Sequence, residues 1–180
     1  TQDNPMHTYA TSGTYSVCQV AYNLCGTDTL CSDVTISIQP THIIYINSNT
    51  GDDTSGDGSA GNPYKTFYKG YTVVSSGDTL DLTGTFTWTD ADELGDVATN
   101  GYVLGKNVTI QGQGAGETII QADATANTAD RRIFTISSSY TVNIKDVTLR
   151  HGNLSTNGRG GAVYVGSITT DVTIDGCIIE

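Results

Sequence analysis

The chain has 180 residues and a formal net charge of −11, from eight Lys plus Arg against nineteen Asp plus Glu. Without a basic patch to neutralise phosphates, nucleic-acid binding is excluded, and attraction to anionic membranes is disfavoured for the same reason. With 37% apolar residues, 21 Gly, ten Tyr and no long helical pattern, the composition predicts an all-β protein of short strands and tight turns. No apolar run approaches a membrane span, and the opening Thr1-Gln-Asp-Asn4 is neither a signal peptide nor a Met start. The expectation is a mature or interior piece of a longer polypeptide.

Residues 1–39 form a unit of their own. Tyr15 to Tyr22 alternates, Asn23 to Gly26 supplies turn chemistry, and Thr29 to Ile38 alternates again. With the tip near Leu24-Cys25, facing positions sum to 49, which sets Cys18 against Cys31 at disulfide distance. A disulfide there implies an oxidising compartment, and leaves Cys25 at the tip without an assigned partner.

A linker follows over residues 40–42, where Pro40 ends the last strand, and Ile43-Ile-Tyr-Ile46 begins a second domain, 43–180. Asp53-Thr-Ser-Gly-Asp-Gly58 has oxygen side chains at alternate positions, so Asp53, Ser55 and Asp57 are candidate calcium ligands. The twelfth position of such a loop is Tyr64 rather than a bidentate Glu, and a metal-free polar loop fits the same residues. Tyr64, Tyr68, Tyr71 and Trp88 are candidates for a sugar-stacking platform or for packing over the first coil. Asp90, Asp92 and Glu93 are carboxylates within one loop, whereas glycoside hydrolysis needs them across a cleft. Gly112 to Gly116 precedes a strand and carries no Lys, which favours a corner over a phosphate cradle.

The dominant pattern is a repeat. Val142 to Leu149 returns as Val172 to Ile179, thirty residues later, with apolar side chains at the first, third, sixth and eighth positions. The phase slips at Lys145-Asp146 and Asp175-Gly176, which reads as a corner between two period-2 strands. Val108-Thr-Ile110 is an earlier half-copy. Stacked coils of a parallel β-solenoid are predicted, with Val108, Val142 and Val172 in one ladder and Ile110, Ile144 and Ile174 in the next. Asn143, Thr148 and Arg150 then point outward, and Cys177 points inward.

Two stretches carry family resemblances. His7 to Val17 together with Asn23 to Thr29 resembles the C-terminal part of a PKD domain, an immunoglobulin-like β-sandwich, here without the Trp-Asp-Phe-Gly-Asp stretch of its earlier strands. Asn47 to Phe67 resembles the N-terminal cap of secreted right-handed parallel β-helix proteins of the pectate-lyase-like group. In that likeness Phe67 to Ser76 is a capping helix and Gly77 to Leu82 the first rung. Gly160-Gly-Ala-Val-Tyr-Val165 resembles the Gly-Gly-Ala motif of polymorphic outer-membrane β-helix proteins. Together these imply a partial immunoglobulin-like hairpin joined to a capped right-handed β-helix, in an extracellular or cell-surface protein exported by a bacterium. The function implied is a non-catalytic module of a large adhesin that contacts polysaccharide or another surface ligand. A polysaccharide lyase or glycoside hydrolase is the enzymatic alternative. Its candidate residues are Lys145, Arg150 and His151, which otherwise read as a solvated rim. A third expectation is head-to-tail self-association into a fibre.

Overall fold

The computed structural model describes residues 6–37, 41–93, 100–155, 160–168 and 170–180. The chain divides into two compact units, Thr1–Pro40 and Thr41–Glu180. Residue 40 of the expected linker lies outside the described residues.

The first unit is a hairpin of β1 (Gly13–Asn23) and β2 (Gly26–Ile36), antiparallel and paired from Gly13↔Ile36 to Asn23↔Gly26. Leu24 and Cys25 form the tip, where Asn23 Oδ1 accepts the N–H groups of Cys25 at 2.8 Å and Gly26 at 3.1 Å. This side-chain turn sets the register in which Cys18 faces Cys31, and the two are joined, with Cα atoms 4.0 Å apart. Tyr15, Val17, Leu30 and Val34 share one face, yet Val17 and Leu30 remain 45% and 73% exposed. Two strands bury too little apolar surface to be stable on their own. The disulfide closes a separation of 13 residues, a constraint worth about 3 kcal/mol against the open chain. Reduction is therefore expected to collapse the amide resonances of residues 13–36 toward random coil while those of the second unit stay in place. Persistence of cross-strand contacts after reduction would refute that role.

The second unit is a parallel β-solenoid of about three turns with three strands per turn. Its first sheet runs β13 (Asp171–Asp175), β10 (Thr141–Lys145), β7 (Val108–Gln111), β4 (Thr79–Thr83) and β3 (Ile43–Asn47). The second runs β14 (Ile178–Ile179), β11 (Thr148–Arg150), β8 (Ile119–Gln121) and β5 (Thr85–Thr87). The third holds β12 (Val163–Val165), β9 (Phe134–Ile136) and β6 (Tyr102–Val103). The repeat is in the expected register: Val108, Val142 and Val172 pair across the sheet, as do Ile110, Ile144 and Ile174. The four apolar positions of the 142–149 copy, Val142, Ile144, Val147 and Leu149, are all fully buried. The expected first rung at residues 77–82 is not the outermost: β3 pairs beyond it in the same sheet.

At the predicted corners Asp146 and Gly176 take positive φ, 54° and 62°, which turns the chain between sheets while returning the same face inward. Gly112 stacks below Asp146, where a Cβ would come within 2.2 Å of the Asp146 carbonyl oxygen. The glycine-rich loop is thus a corner, and only a residue without a Cβ fits beneath that carbonyl. Gly112→Ala is expected to cost about 1–3 kcal/mol through forced displacement of the neighbouring coil. An unchanged urea midpoint in that variant would show that the stack is looser than this spacing implies.

The β3 end is covered. Tyr45 donates to the Gly58 carbonyl at 2.9 Å and accepts from Tyr64 N–H at 3.0 Å, so the Gly58 to Tyr64 segment pairs with the free edge. The helix α1 (Phe67–Val73), shorter than the expected 67–76, packs on β3 and β4 and buries Phe67 and Gly70. Phe67 enters an aromatic cluster with Trp88, Tyr102 and Phe134, with ring centroids 4.8 to 5.7 Å from its own.

Candidate functional site

The residues that organise the cap converge on the start of α1. A helix leaves its first amides without internal partners, and here each of those from Thr66 to Lys69, with that of the preceding Lys65, has a side-chain acceptor. Asp53 Oδ1 accepts from Lys65 N–H at 2.7 Å and Thr66 N–H at 3.1 Å, and Asp53 Oδ2 accepts from the Thr66 hydroxyl at 2.6 Å. Glu93 takes the next two, Phe67 N–H on Oε1 at 2.7 Å and Tyr68 N–H on Oε2 at 2.9 Å. Thr66 Oγ1 accepts from Lys69 N–H at 3.0 Å, as an N-cap hydroxyl should.

Glu93 reaches the helix because Thr87 to Glu93 makes a tight turn, with Asp90 N–H bonded to Thr87 O and Glu93 N–H to Asp90 O, each at 3.0 Å. Its carboxyl is buried, and burial pushes its pKa up to about 7 against the opposing pull of the two amides. The nearby Asp53 and Asp90 carboxylates push the same way.

The other end of α1 is tied to the solenoid. Lys106 Nζ donates to Tyr71 O at 2.9 Å and Val74 O at 2.7 Å, which places a cation on the last helical carbonyls. Its ammonium also lies 4.9 Å from the Tyr71 ring centroid, and burial holds its pKa below the usual lysine range. Gly105 N–H donates to Tyr71 Oη at 2.7 Å.

Between the cap loop, α1 and the Thr87–Glu93 turn lies an open trough in two hollows. One, of about 400 Å³, is bordered by Ser48, Asn49, Thr85, Thr87, Asp90 and Lys65. The other, of about 480 Å³, is bordered by Asp52, Asp53, Thr54, Tyr68 and Lys69. Lys65 and Asp92 line both, and their ion pair at 2.6 Å bridges the trough. Both side chains are about half exposed, and Asp92 holds the Lys65 ammonium above the usual lysine pKa.

The structure distributes the predicted site residues unevenly. Trp88 requires correction as a ligand-stacking residue: it is fully buried and its Nε1 donates to Ile133 O at 2.9 Å, so no sugar face can reach it. Tyr64, Tyr68 and Tyr71 are half-buried and pack against the core, and of these Tyr68 lines the trough. Asp53 spends both carboxylate oxygens on the helix start, while Asp57 Oδ1 accepts from Ser59 N–H at 2.9 Å. Asp57 sits below the usual carboxylate range because of the Ser59 side chain and amide. Among the described residues no three His, Cys, Asp or Glu side chains gather as a metal site. Asp53 and Asp57 are thus both engaged by groups of the cap itself, Asp53 at the helix start and Asp57 at Ser59.

The rim candidates also separate. Lys145 ends a strand of the first sheet and Arg150 a strand of the second, on either side of the Asp146 corner. Arg150 Nε donates to Gln121 Oε1 at 2.7 Å, and His151 Nδ1 lies 2.8 Å from the Asp123 carbonyl oxygen. Thr148, expected outward and open, is buried beneath the Gly116 turn, whose N–H it accepts at 3.1 Å. Cys177 is half-buried against the core, with Sγ toward the Ile144 and Asp175 carbonyls. The capping roles of Glu93 and Lys106 had no signature in the sequence. Glu93 follows its helix start by 26 residues and Lys106 lies 32 residues beyond Val74, so no local capping pattern contains either.

No helix among the described residues is long and apolar enough to cross a membrane. No protein-family model, curated protein or solved structure matches the chain.

Proposed function

We propose that the chain is a non-catalytic extracellular module of a larger secreted or cell-surface protein, which contacts polysaccharide through the trough on its cap. What supports this reading is the commitment of four of the trough's ionisable groups. Lys65 is paired with Asp92, and Asp53 and Glu93 are bound to helix amides. Proton transfer to a substrate requires a group free to exchange its partner, and these have structural ones. What the trough offers instead is Ser48, Asn49 and Thr85 in one hollow and the half-buried ring of Tyr68 in the other, which suits hydroxyl hydrogen bonding and apolar contact with a pyranose.

The finer assignments belong to the same proposal. The hairpin corresponds to the closing strands of a PKD-like domain and the solenoid to a pectate-lyase-like β-helix, in a bacterial adhesin. Its disulfide accords with an oxidising, extracellular setting. The test is a solid-phase binding assay on immobilised plant and algal polysaccharides, with Tyr68→Ala and Asn49→Ala as variants. Retention by at least one polymer, weakened several-fold in both variants, is expected. Release of unsaturated sugars from pectin, alginate or chondroitin by the chain would overturn the non-catalytic reading.

A further inference from the structure

The charge distribution of the trough limits what it can hold. Its border carries five acidic side chains, Asp52, Asp53, Asp90, Asp92 and Glu93, against the two ammonium groups of Lys65 and Lys69. With Glu93 protonated, four carboxylates still face two cations. Lys65 is held by Asp92 at 2.6 Å, and Lys69 Nζ lies 5.4 Å from the Tyr64 ring centroid, so the carboxylates of the border outnumber its cations with one ammonium already paired. The chain as a whole is acidic, at −11, and adds repulsion to the local field.

A uronate polymer would bring one like charge per residue into this surplus, and its carboxylates would lose solvation against a border that is net negative. The neutral groups at the border have no such penalty. Asn49 and the hydroxyls of Ser48 and Thr85 supply donors and acceptors suited to sugar hydroxyls. Resting on the polysaccharide-contact reading above, we infer that the trough selects uncharged glycans and rejects uronate polymers, by repulsion from Asp52, Asp90 and Asp92. Selection of this kind needs no specific contact to the rejected polymer, only an unfavourable field where its carboxylates would lie.

The test is titration calorimetry of the whole chain with neutral hexasaccharides of xylose, glucose and mannose, and with hexagalacturonate, in a chelator so that no cation bridges carboxylates. At low salt at least one neutral hexasaccharide is expected to bind at least tenfold more tightly than hexagalacturonate. In 1 M salt, where screening acts within about 3 Å, the gap should narrow. Asp90→Asn combined with Asp52→Asn should raise hexagalacturonate affinity several-fold and leave the neutral sugar within twofold. Hexagalacturonate binding as tightly as the neutral sugars at low salt would overturn the inference while leaving polysaccharide contact standing. So would a double variant that changes neither affinity. Failure of every oligosaccharide to bind would overturn the polysaccharide reading and the inference together.

Discussion

Trp88→Ala is expected to destabilise the solenoid by about 3–5 kcal/mol, the range for emptying a large aromatic site in a packed core. The ring is fully buried between Phe67, Tyr102 and Phe134, with centroid distances of 5.3, 4.8 and 6.0 Å. Its truncation also strips the Ile133 carbonyl of its indole donor at 2.9 Å. Because this cluster joins α1 to the second and third sheets, the loss should loosen the cap before the later coils. At roughly 2–4 °C per kcal/mol for a domain of this size, thermal unfolding should begin on the order of 10 °C lower. Trp88→Phe keeps most of the volume and is expected to recover more than half of the loss. If Trp88 instead acted as a binding platform, the alanine variant would keep its unfolding midpoint and lose ligand. That result would sink the packing assignment.

Glu93→Ala should be nearly as damaging, at about 2–5 kcal/mol, because it orphans the amides of Phe67 and Tyr68 at the buried helix start. Hydrogen exchange reads this directly: those two amides should lose protection while the strands β7 and β10 keep theirs. The same residue gives the unit a pH dependence with a definite sign. Its carboxyl titrates at about 7 in the folded chain against an ordinary value of 4.5, so the folded state holds the extra proton between these values. The resulting stabilisation is fully present below 4.5 and is lost as pH rises through 7. A shift of that size corresponds to about 3 kcal/mol. The urea midpoint of the second unit is therefore expected to fall between pH 5 and pH 8, and to fall distinctly less in Glu93→Gln. Equal pH profiles for the two proteins would refute the assignment.

Stacking of the coils was legible because it follows from a local rule. Side chains alternate along a strand, a phase slip marks a corner, and two copies with the same slip must stack in register to bury both apolar sets. Val142, Ile144, Val147 and Leu149 satisfied that rule, and so did Cys18 and Cys31, whose pairing follows from the position of a turn. Thr148 and Trp88 did not. Whether an outward position is open depends on which loop crosses it, and whether an aromatic is core or surface depends on what packs above it.

By itself the sequence determined the all-β class, the hairpin with its disulfide, and the ladder of coils, since each rests on periodicity or on residues close along the chain. Tertiary structure alone decided the composition of the cap. Glu93 and Asp53 converge on one helix start and Lys106 on its end, and the Lys65–Asp92 bridge joins positions 27 residues apart. No periodic pattern encodes such meetings. They arise where irregular loops of different coils fold over the end of a regular stack, and their energetics depend on burial that only the assembled coils provide.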